Sequence, residues 1–169
     1  MSISLESIKK AARCLEGVIK ETSLIYSNTF SEICNNKVYF KPENLQKTGS
    51  FKIRGAYNKI ANMEDNETQN GVIASSAGNH AQGVAYAATN YGIDSTIVMP
   101  REAPIAKVTA TKNYGAEVVL DGNDYDEAYE RALEIQKETG AVFVHPFNDI
   151  EVIAGQGTIG LEIIEELPE

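Results

Sequence analysis

The sequence predicts an α/β fold, an open and doubly wound parallel sheet with helices on both faces. Four short runs rich in β-branched residues, GVIASS, STIVMP, AEVVL and AVFVH, begin near residues 71, 95, 116 and 141. Helical stretches at about 79–91, 104–114, 124–139 and 150–167 follow them, and this alternation indicates a parallel sheet. The runs are apolar at nearly every position, as in strands that are covered on both faces. Half of a TIM barrel would alternate in the same way, but a barrel needs about twice as many units.

The part of the chain that precedes this alternation is less regular. Residues 4–20 are predicted to form an opening helix capped by Ser4, because apolar residues recur there at helical spacing. Residues 38–40 predict a short strand and residues 51–63 a second helix. The polar segment 64–70 is interpreted as a solvated loop.

The composition excludes several classes of function. Of the 169 residues 43% are hydrophobic and 23% charged, and the net charge of −9 weighs against nucleic acid and anionic membranes as partners. There is no signal-peptide pattern and no apolar run of about 18 residues. Cys14 and Cys34 lack CxxC spacing, which favours a reduced, cytoplasmic chain. With His80 and His145 as the only histidines, no metal site is expected.

The stretch QKTGSFKIRGA (46–56) places a lysine between two apolar residues. Lys52 lies between Phe51 and Ile53, just after a turn-prone Thr-Gly-Ser. Such a lysine either extends its ammonium to water along the apolar surface or keeps it partly desolvated. Desolvation lowers the pKa of an amine and leaves some of it neutral, the form that attacks a carbonyl. On these residues alone, both interpretations stay open.

A second candidate is the loop SSAGNH (75–80), which follows the strand GVIA and opens a helix. In an open α/β sheet the carboxyl ends of the strands are the ligand side. Free N–H groups at a helix N-terminus favour a carboxylate or a phosphate, and the amide of Asn79 suits a hydroxyl or phenolate. The alternative is an ordinary polar capping loop of the kind that every such unit needs.

Three further features have ordinary alternatives. Residues 155–160, GQGTIG, match GxGxxG, but the strand AVFVH ends about ten residues earlier and helical spacing continues through the glycines. A dinucleotide site needs this motif directly after a strand, so glycines that let a helix pack closely are favoured. Arg54 could pair with an anion, but a helix-surface charge is favoured. The segment 145–147, His-Pro-Phe, either lines the same cleft or forms a tight turn with a packed aromatic.

Three blocks of the sequence together resemble the threonine/serine dehydratases, pyridoxal-phosphate enzymes of the tryptophan-synthase β fold type. These blocks are KPENLQKTGSFKIRGA (41–56), ASSAGNHAQGVA (74–85) and HPFND with IAGQGT (145–158). The resemblance runs from about residue 5 to the end of the chain, and the order and spacing of the blocks match. It implies pyridoxal 5′-phosphate as the cofactor, a small-molecule amino acid as the substrate and a homo-oligomeric assembly.

The resemblance also implies roles for particular residues. Lys52 matches the lysine that carries the cofactor, Phe51 the residue that packs beside the cofactor ring, and Asn79 the side chain that hydrogen-bonds the cofactor's 3′-oxygen. Serine racemases resemble the chain closely but have a serine, their acid–base group, where Ala77 stands, so a dehydratase is favoured over a racemase. The loop that holds the substrate carboxylate is matched by Ser76, Ala77, Gly78, Asn79 and His80.

The implied reaction is the dehydration and deamination of L-threonine, and also of L-serine, to a 2-oxo acid and ammonia. Lys52 would remove the Cα proton while the cofactor ring takes up the electrons and the β-hydroxyl leaves as water. Members of the family act either in isoleucine biosynthesis or in threonine catabolism. The sequence leaves that choice open.

The resemblance finally predicts an unfinished domain. In the family, a glycine-rich loop that grips the cofactor phosphate follows the IAGQGT helix, and the alternation itself predicts another strand beyond EIIEELPE. We therefore expect residues 1–169 to be the N-terminal part of a catalytic domain, in which about 50–150 form a small α/β subdomain and 1–49 contribute to a larger one. The alternatives are a folded, non-catalytic fragment that needs a complementing C-terminal chain and, resting on GQGTIG alone, a nucleotide-binding module.

Overall fold

A computed structural model describes residues 2–167 as eight helices, two small sheets and a short 3-10 turn at Glu43–Leu45. The helices are α1 (Leu5–Leu15), α2 (Asn28–Cys34), α3 (Lys52–Ala61), α4 (Asp65–Thr68), α5 (Asn79–Tyr91), α6 (Ile105–Asn113), α7 (Tyr125–Thr139) and α8 (Ile150–Glu166). The strands are β1 (Ile25–Tyr26), β2 (Tyr39–Phe40), β3 (Val72–Ser75), β4 (Ser95–Met99), β5 (Glu117–Leu120) and β6 (Val142–Phe143).

The larger sheet confirms the predicted parallel architecture. Its strand order is β5-β4-β3-β6, and every neighbouring pair is parallel. The chain proceeds from β3 through β4 to β5 in one direction, and α7 then returns it to place β6 on the free side of β3. The direction of winding therefore reverses between β3 and β6. In doubly wound sheets the carboxyl ends of the strands at such a reversal border the ligand crevice.

Helices cover both faces of this sheet, as the sequence predicts. Because side chains alternate along a strand, Ala74 and Ile97 join the cluster that contains α5, whereas Ile73 and Val98 face the alanines of α7. The central strands β3 and β4 are buried almost throughout, while the edge strand β5 is partly exposed. The apolar character of the central runs follows from burial on both faces.

Capping residues set the bounds of the two long C-terminal helices. The Asp124 side chain accepts a hydrogen bond of 2.9 Å from the backbone N–H of Glu127 at the start of α7. Asp149 does the same for α8, at 2.8 Å from the N–H of Glu151. Helix α7 ends at Gly140, whose φ of 73° lies in the left-handed region that favours glycine.

Helix α3 lies between α5 and α8, and glycines allow both crossings. A Cβ built on Gly155 of α8 would lie 2.5 Å from the carbonyl oxygen of Arg54, and one built on Gly83 of α5 would lie 3.1 Å from the carbonyl oxygen of Lys52. The GQGTIG stretch lies inside α8, away from any strand-to-helix turn, so its predicted role in helix packing is confirmed at Gly155. Gly160 takes no part in this crossing, because its Cβ would meet nothing within 4 Å.

Several boundaries differ from the predicted ones in the N-terminal part. Ser4 caps α1 as predicted, but the helix ends at Leu15 instead of residue 20, and Gly17 follows with a φ of 71°. The predicted helix 51–63 spans Lys52–Ala61, and the predicted loop 64–70 contains the single turn α4. Strand β1, which pairs with β2 in antiparallel fashion, and helix α2 were missed. A strand of two residues leaves no alternation in the sequence, and a helix of seven residues is too short to show a clear helical period. Within residues 2–167, no helix has both the length and the apolar character needed to cross a membrane.

Candidate active site

Lys52 is the first residue of α3, and its side chain reaches the segment that follows strand β6. Its ammonium donates a hydrogen bond of 2.8 Å to the carbonyl oxygen of Pro146, in the segment that follows β6. The Lys52 side chain is partly buried and Pro146 is buried. Lys52 therefore lies at the crevice where the winding of the sheet reverses, which is where the fold predicts a ligand.

The environment of Lys52 increases the fraction of its amine that is neutral. Burial removes water from the ammonium and lowers the pKa of Lys52 below its ordinary value, and no carboxylate among the described residues offsets this effect. The ring of Phe51 lies beside it, with Nζ 5.3 Å from the ring centroid. Of the two interpretations of this lysine left open by the sequence, the structure supports partial desolvation.

The loop that opens α5 lies at the carboxyl end of β3. Gly78 precedes the first residue of the helix, and within residues 2–167 no side chain caps this N-terminus, in contrast to α7 and α8. A Cβ built on Gly78 would meet nothing within 4 Å, so the loop borders open space. The first N–H groups of a helix have no partner within the helix and carry its positive dipole end. This N-terminus therefore has the free N–H groups and the open space that an anion site needs, and its role as such a site stays a prediction.

One hydrogen bond holds the loop on the sheet, and a second closes a turn within it. The backbone N–H of Ser76 donates to the carbonyl oxygen of Val98 at 3.1 Å, which continues the β3–β4 ladder by one residue. The N–H of Gly78 donates to the Ser76 hydroxyl at 3.2 Å and closes a tight turn. Between them, Ala77 packs against the core cluster on the α5 face of the sheet. Position 77 thus carries a methyl group and no exchangeable proton.

His80 connects α5 to the strand that precedes Pro146. Its side chain is almost fully buried, and Nε2 lies 2.8 Å from the carbonyl oxygen of Val144. Because a carbonyl can only accept, Nε2 carries the proton and Nδ1 is left as an acceptor without a partner among the described residues. Burial, more than the nearby charge of Lys52, lowers the pKa of His80 to about 4, so the imidazole is neutral at pH 7.

The remaining predicted residues border the same region. Asn79 is exposed, and its side-chain Oδ1 accepts a hydrogen bond of 2.9 Å from Lys107 of α6. The Nδ1 atom of His145 accepts from the backbone N–H of Asn148 at 2.8 Å, so the His-Pro-Phe segment forms a tight turn. The same segment lines the cleft through the Pro146 carbonyl. The predicted turn is therefore present, but Phe147 is 66% exposed and is not a packed aromatic.

Arg54 corrects the interpretation made from the sequence, because it is fully buried and not a helix-surface charge. Its guanidinium donates two hydrogen bonds to Glu43, at 2.9 and 2.8 Å, and also binds Glu162 of α8. Lys41 adds a second cation at 2.7 Å from Glu162. Burial alone would lower the pKa of Arg54, but the hydrogen bonds to both carboxylates raise it above its ordinary value.

This buried ion network fixes the helix that carries Lys52. It joins α3 to the segment before it through Glu43 and to α8 through Glu162, a residue 108 positions away from Arg54 in the sequence. Paired buried charges with satisfied hydrogen bonds hold one geometry because any displacement leaves a charge without its partner. The sequence carried no signal for this arrangement, since a buried and an exposed arginine look alike in a helix.

Comparison with known proteins places these features in a family. The family described as "Pyridoxal-phosphate dependent enzyme" matches residues 15–169. An L-threonine ammonia-lyase of Thermotoga maritima is 64% identical over 167 residues, which are 99% of this chain and 42% of that protein. A catabolic L-threonine dehydratase of Escherichia coli is 48% identical, over 99% of this chain and 51% of that protein.

Solved structures give the same result for the fold. Maize serine racemase superposes with a TM-score of 0.95 at 38% identity, over 100% of this chain and 51% of that one. The processed form of a threonine deaminase from Solanum lycopersicum superposes with a TM-score of 0.88 at 38% identity, over 99% of this chain and 47% of that one. The chain spans about half the length of the relatives it matches. With a family match over most of its length, the chain belongs to the family of pyridoxal-phosphate-dependent enzymes.

Proposed function

We propose that the full-length protein is a lyase that uses pyridoxal 5′-phosphate to dehydrate and deaminate L-threonine, and also L-serine, to a 2-oxo acid and ammonia. One observation carries the proposal: the desolvated amine of Lys52 lies at the reversal point of a parallel sheet, where an uncapped helix N-terminus also opens. Two relatives named for L-threonine chemistry, at 64% and 48% identity, support the choice of substrate.

The residues present fit the cofactor. The Lys52 amine would bond to the cofactor aldehyde, since burial lowers its pKa and leaves more of it in the nucleophilic form. The Phe51 ring, 39% exposed beside that amine, offers an apolar surface to an aromatic ring. Asn79 would bind the 3′-oxygen with its side-chain amide. When bound, pyridoxal phosphate supplies an electron sink for the bond broken at the substrate Cα.

The loop at the start of α5 would bind the substrate carboxylate. The N–H groups of Ser76 and Gly78 already donate within the protein, so the first N–H groups of α5, at the positive end of the helix dipole, would bind it. The residues assigned to this role are Ser76, Ala77, Gly78, Asn79 and His80. Because His80 is neutral at pH 7, it adds no second cation and acts by holding the loop against β6.

Lys52 would also move the proton of the reaction. Once its amine is free, Nζ accepts the proton from the substrate Cα, a role that needs a pKa nearer to neutrality than that of an ordinary lysine. The hydrogen bond to the Pro146 carbonyl gives the amine a fixed position. The α3 backbone beneath it is fixed in turn by Gly83 and by the Arg54 network.

Ala77 favours elimination over racemisation. A racemase needs a second acid–base group on the face of the substrate opposite Lys52, and a methyl group cannot supply a proton. The fold alone does not distinguish a lyase from a racemase, because a serine racemase and a threonine deaminase both superpose closely on this chain. Residue 77 therefore supports the lyase.

We also propose the wider assignment that the sequence suggested. Residues about 50–150 would form a small α/β subdomain and 1–49 would contribute to a larger one, in a cytoplasmic homo-oligomer. The larger sheet and its flanking helices α5, α6 and α7 all fall within 71–143, which supports the subdomain. The two free cysteines, Cys14 and Cys34, support a reducing compartment.

Turnover of L-threonine by the full-length enzyme tests the proposal. We expect 2-oxobutanoate from the unaltered enzyme and none from Lys52→Ala, with Lys112→Ala as a matched control because Lys112 is an exposed lysine of α6. Near-normal turnover in Lys52→Ala would overturn the assignment. In addition, Ala77→Ser should create measurable racemisation of L-serine that the unaltered enzyme lacks.

A further inference from the structure

The contact between Lys107 and Asn79 has a defined chemical direction. Lys107 Nζ, on the first turn of α6, lies 2.9 Å from Asn79 Oδ1 at the start of α5. An ammonium can only donate, so the amide oxygen must face Lys107 and the NH₂ group must face away. The opposite amide orientation would set donor against donor. Lys107 therefore fixes which end of the Asn79 amide is left free to bind another group.

The Lys107 ammonium binds this neutral amide and forms no ion pair within the described residues. The chain has a net charge of −9, yet none of the ion pairs found within residues 2–167 includes Lys107. Lys107 is partly buried, whereas Lys112 on the same helix is exposed. The hydrogen bond to Asn79 is thus the polar contact of the Lys107 ammonium within the described residues.

The fixed orientation of the Asn79 amide has two consequences for an oxygen anion bound in the crevice. The NH₂ group of Asn79 is left free to donate to an acceptor in the crevice. A donor whose oxygen is already bound to a cation is polarised, and hydrogen bonds in such a chain strengthen one another.

We propose that Lys107 is a positioning residue that directs the Asn79 NH₂ group to the 3′-oxygen of pyridoxal phosphate and, through that amide, stabilises this oxygen as an anion. This inference rests on the proposed function, because it takes the cofactor as the ligand of the crevice. It assigns a role to a side chain of α6, an element that carries none of the residues in the three sequence blocks. Lys107 acts through Asn79 and does not itself touch the cofactor.

Affinity for two cofactors tests this role without any turnover assay. The full-length protein and its variants are titrated with pyridoxal phosphate and with 3-deoxypyridoxal phosphate, which lacks the ring hydroxyl. We expect Lys107→Met to weaken pyridoxal phosphate roughly tenfold, the size of one charge-assisted hydrogen bond, and to leave the 3-deoxy analogue within about twofold. Lys107→Arg keeps a cationic donor and should retain most of the affinity, and Lys112→Met should match the unaltered protein.

A double-mutant cycle separates positioning from general packing. In an Asn79→Ala background, Lys107→Met should weaken pyridoxal phosphate no further, because its partner is gone. Equal weakening of both cofactors in Lys107→Met, or additive losses in the double variant, would overturn the role assigned to Lys107, as would an unchanged affinity. If the unaltered protein binds neither cofactor, the proposed function itself falls and this inference falls with it. Melting of the cofactor-free variants shows that Lys107→Met is folded.

Discussion

The ammonium of Lys52 donates a hydrogen bond of 2.8 Å to the carbonyl oxygen of Pro146, across 94 residues of sequence. This contact joins the start of α3 to the segment between β6 and α8. It holds a partly desolvated amine at the carboxyl end of the sheet, where its pKa is lowered. The contact therefore defines a resting position of the amine.

Removing one carboxylate from the Arg54 network should destabilise the fold. Glu162→Gln leaves Lys41 and the fully buried Arg54 short of one negative charge. Because the Glu162 side chain is 26% exposed, we expect a loss of about 2 kcal/mol in the free energy of unfolding, below the range for a fully buried pair. Urea denaturation measures it.

The control for this experiment lies three residues along the same helix. Glu165 is exposed, and none of the ion pairs found within residues 2–167 involves it. Glu165→Gln should change the free energy of unfolding by no more than about 0.5 kcal/mol. If the two variants are equally stable, the ion network does not hold α3 in place.

Replacing Gly155 and Gly160 of α8 by alanine should change the stability of the protein in opposite directions. A Cβ at Gly155 would lie 2.5 Å from the Arg54 carbonyl oxygen, so Gly155→Ala must push α8 away from α3 and should cost about 1–3 kcal/mol. A Cβ at Gly160 meets nothing within 4 Å, so Gly160→Ala should stabilise the helix by up to about 1 kcal/mol. Thermal melting of both variants checks the pair. A neutral Gly155→Ala would refute the role of this glycine in the crossing.

The sequence predicts those structural features that depend on neighbouring residues, and it does not predict contacts between distant parts of the chain. The alternation of strands and helices and the loop before α5 follow from neighbouring residues, and both are confirmed. The burial of Arg54 was predicted wrongly, since its partners Glu43 and Glu162 come from separate parts of the chain. The contact between Lys52 and the Pro146 carbonyl could not be predicted either, because a backbone acceptor has no signature in the sequence.

His80 should make the stability of the protein depend on pH. Its pKa is about 4 in the folded protein against an ordinary value of 6.5, because burial disfavours the charged ring. The contribution of His80 to the free energy of unfolding is complete above about pH 6.5 and is lost as pH falls through about 4. In this range His80 takes up a proton in the unfolded chain but not in the folded protein. The full effect is about 3 kcal/mol.

A glutamine variant isolates this contribution from the titration of carboxylates. Gln at position 80 retains an N–H donor for the Val144 carbonyl oxygen but cannot take up the proton. Between pH 7 and pH 4, the unfolding free energy of the unaltered protein should therefore fall more steeply than that of His80→Gln. Parallel curves would show that His80 is not a buried neutral imidazole.

Chemical trapping on Lys52 tests the central claim most directly. The protein is mixed with pyridoxal phosphate, reduced with borohydride and digested, and the labelled peptide is mapped by mass spectrometry. The proposed role of Lys52 predicts a single labelled lysine at position 52 and no specific label in Lys52→Met. Diffuse labelling over several of the exposed lysines, or equal labelling of the Lys52→Met variant, would contradict it.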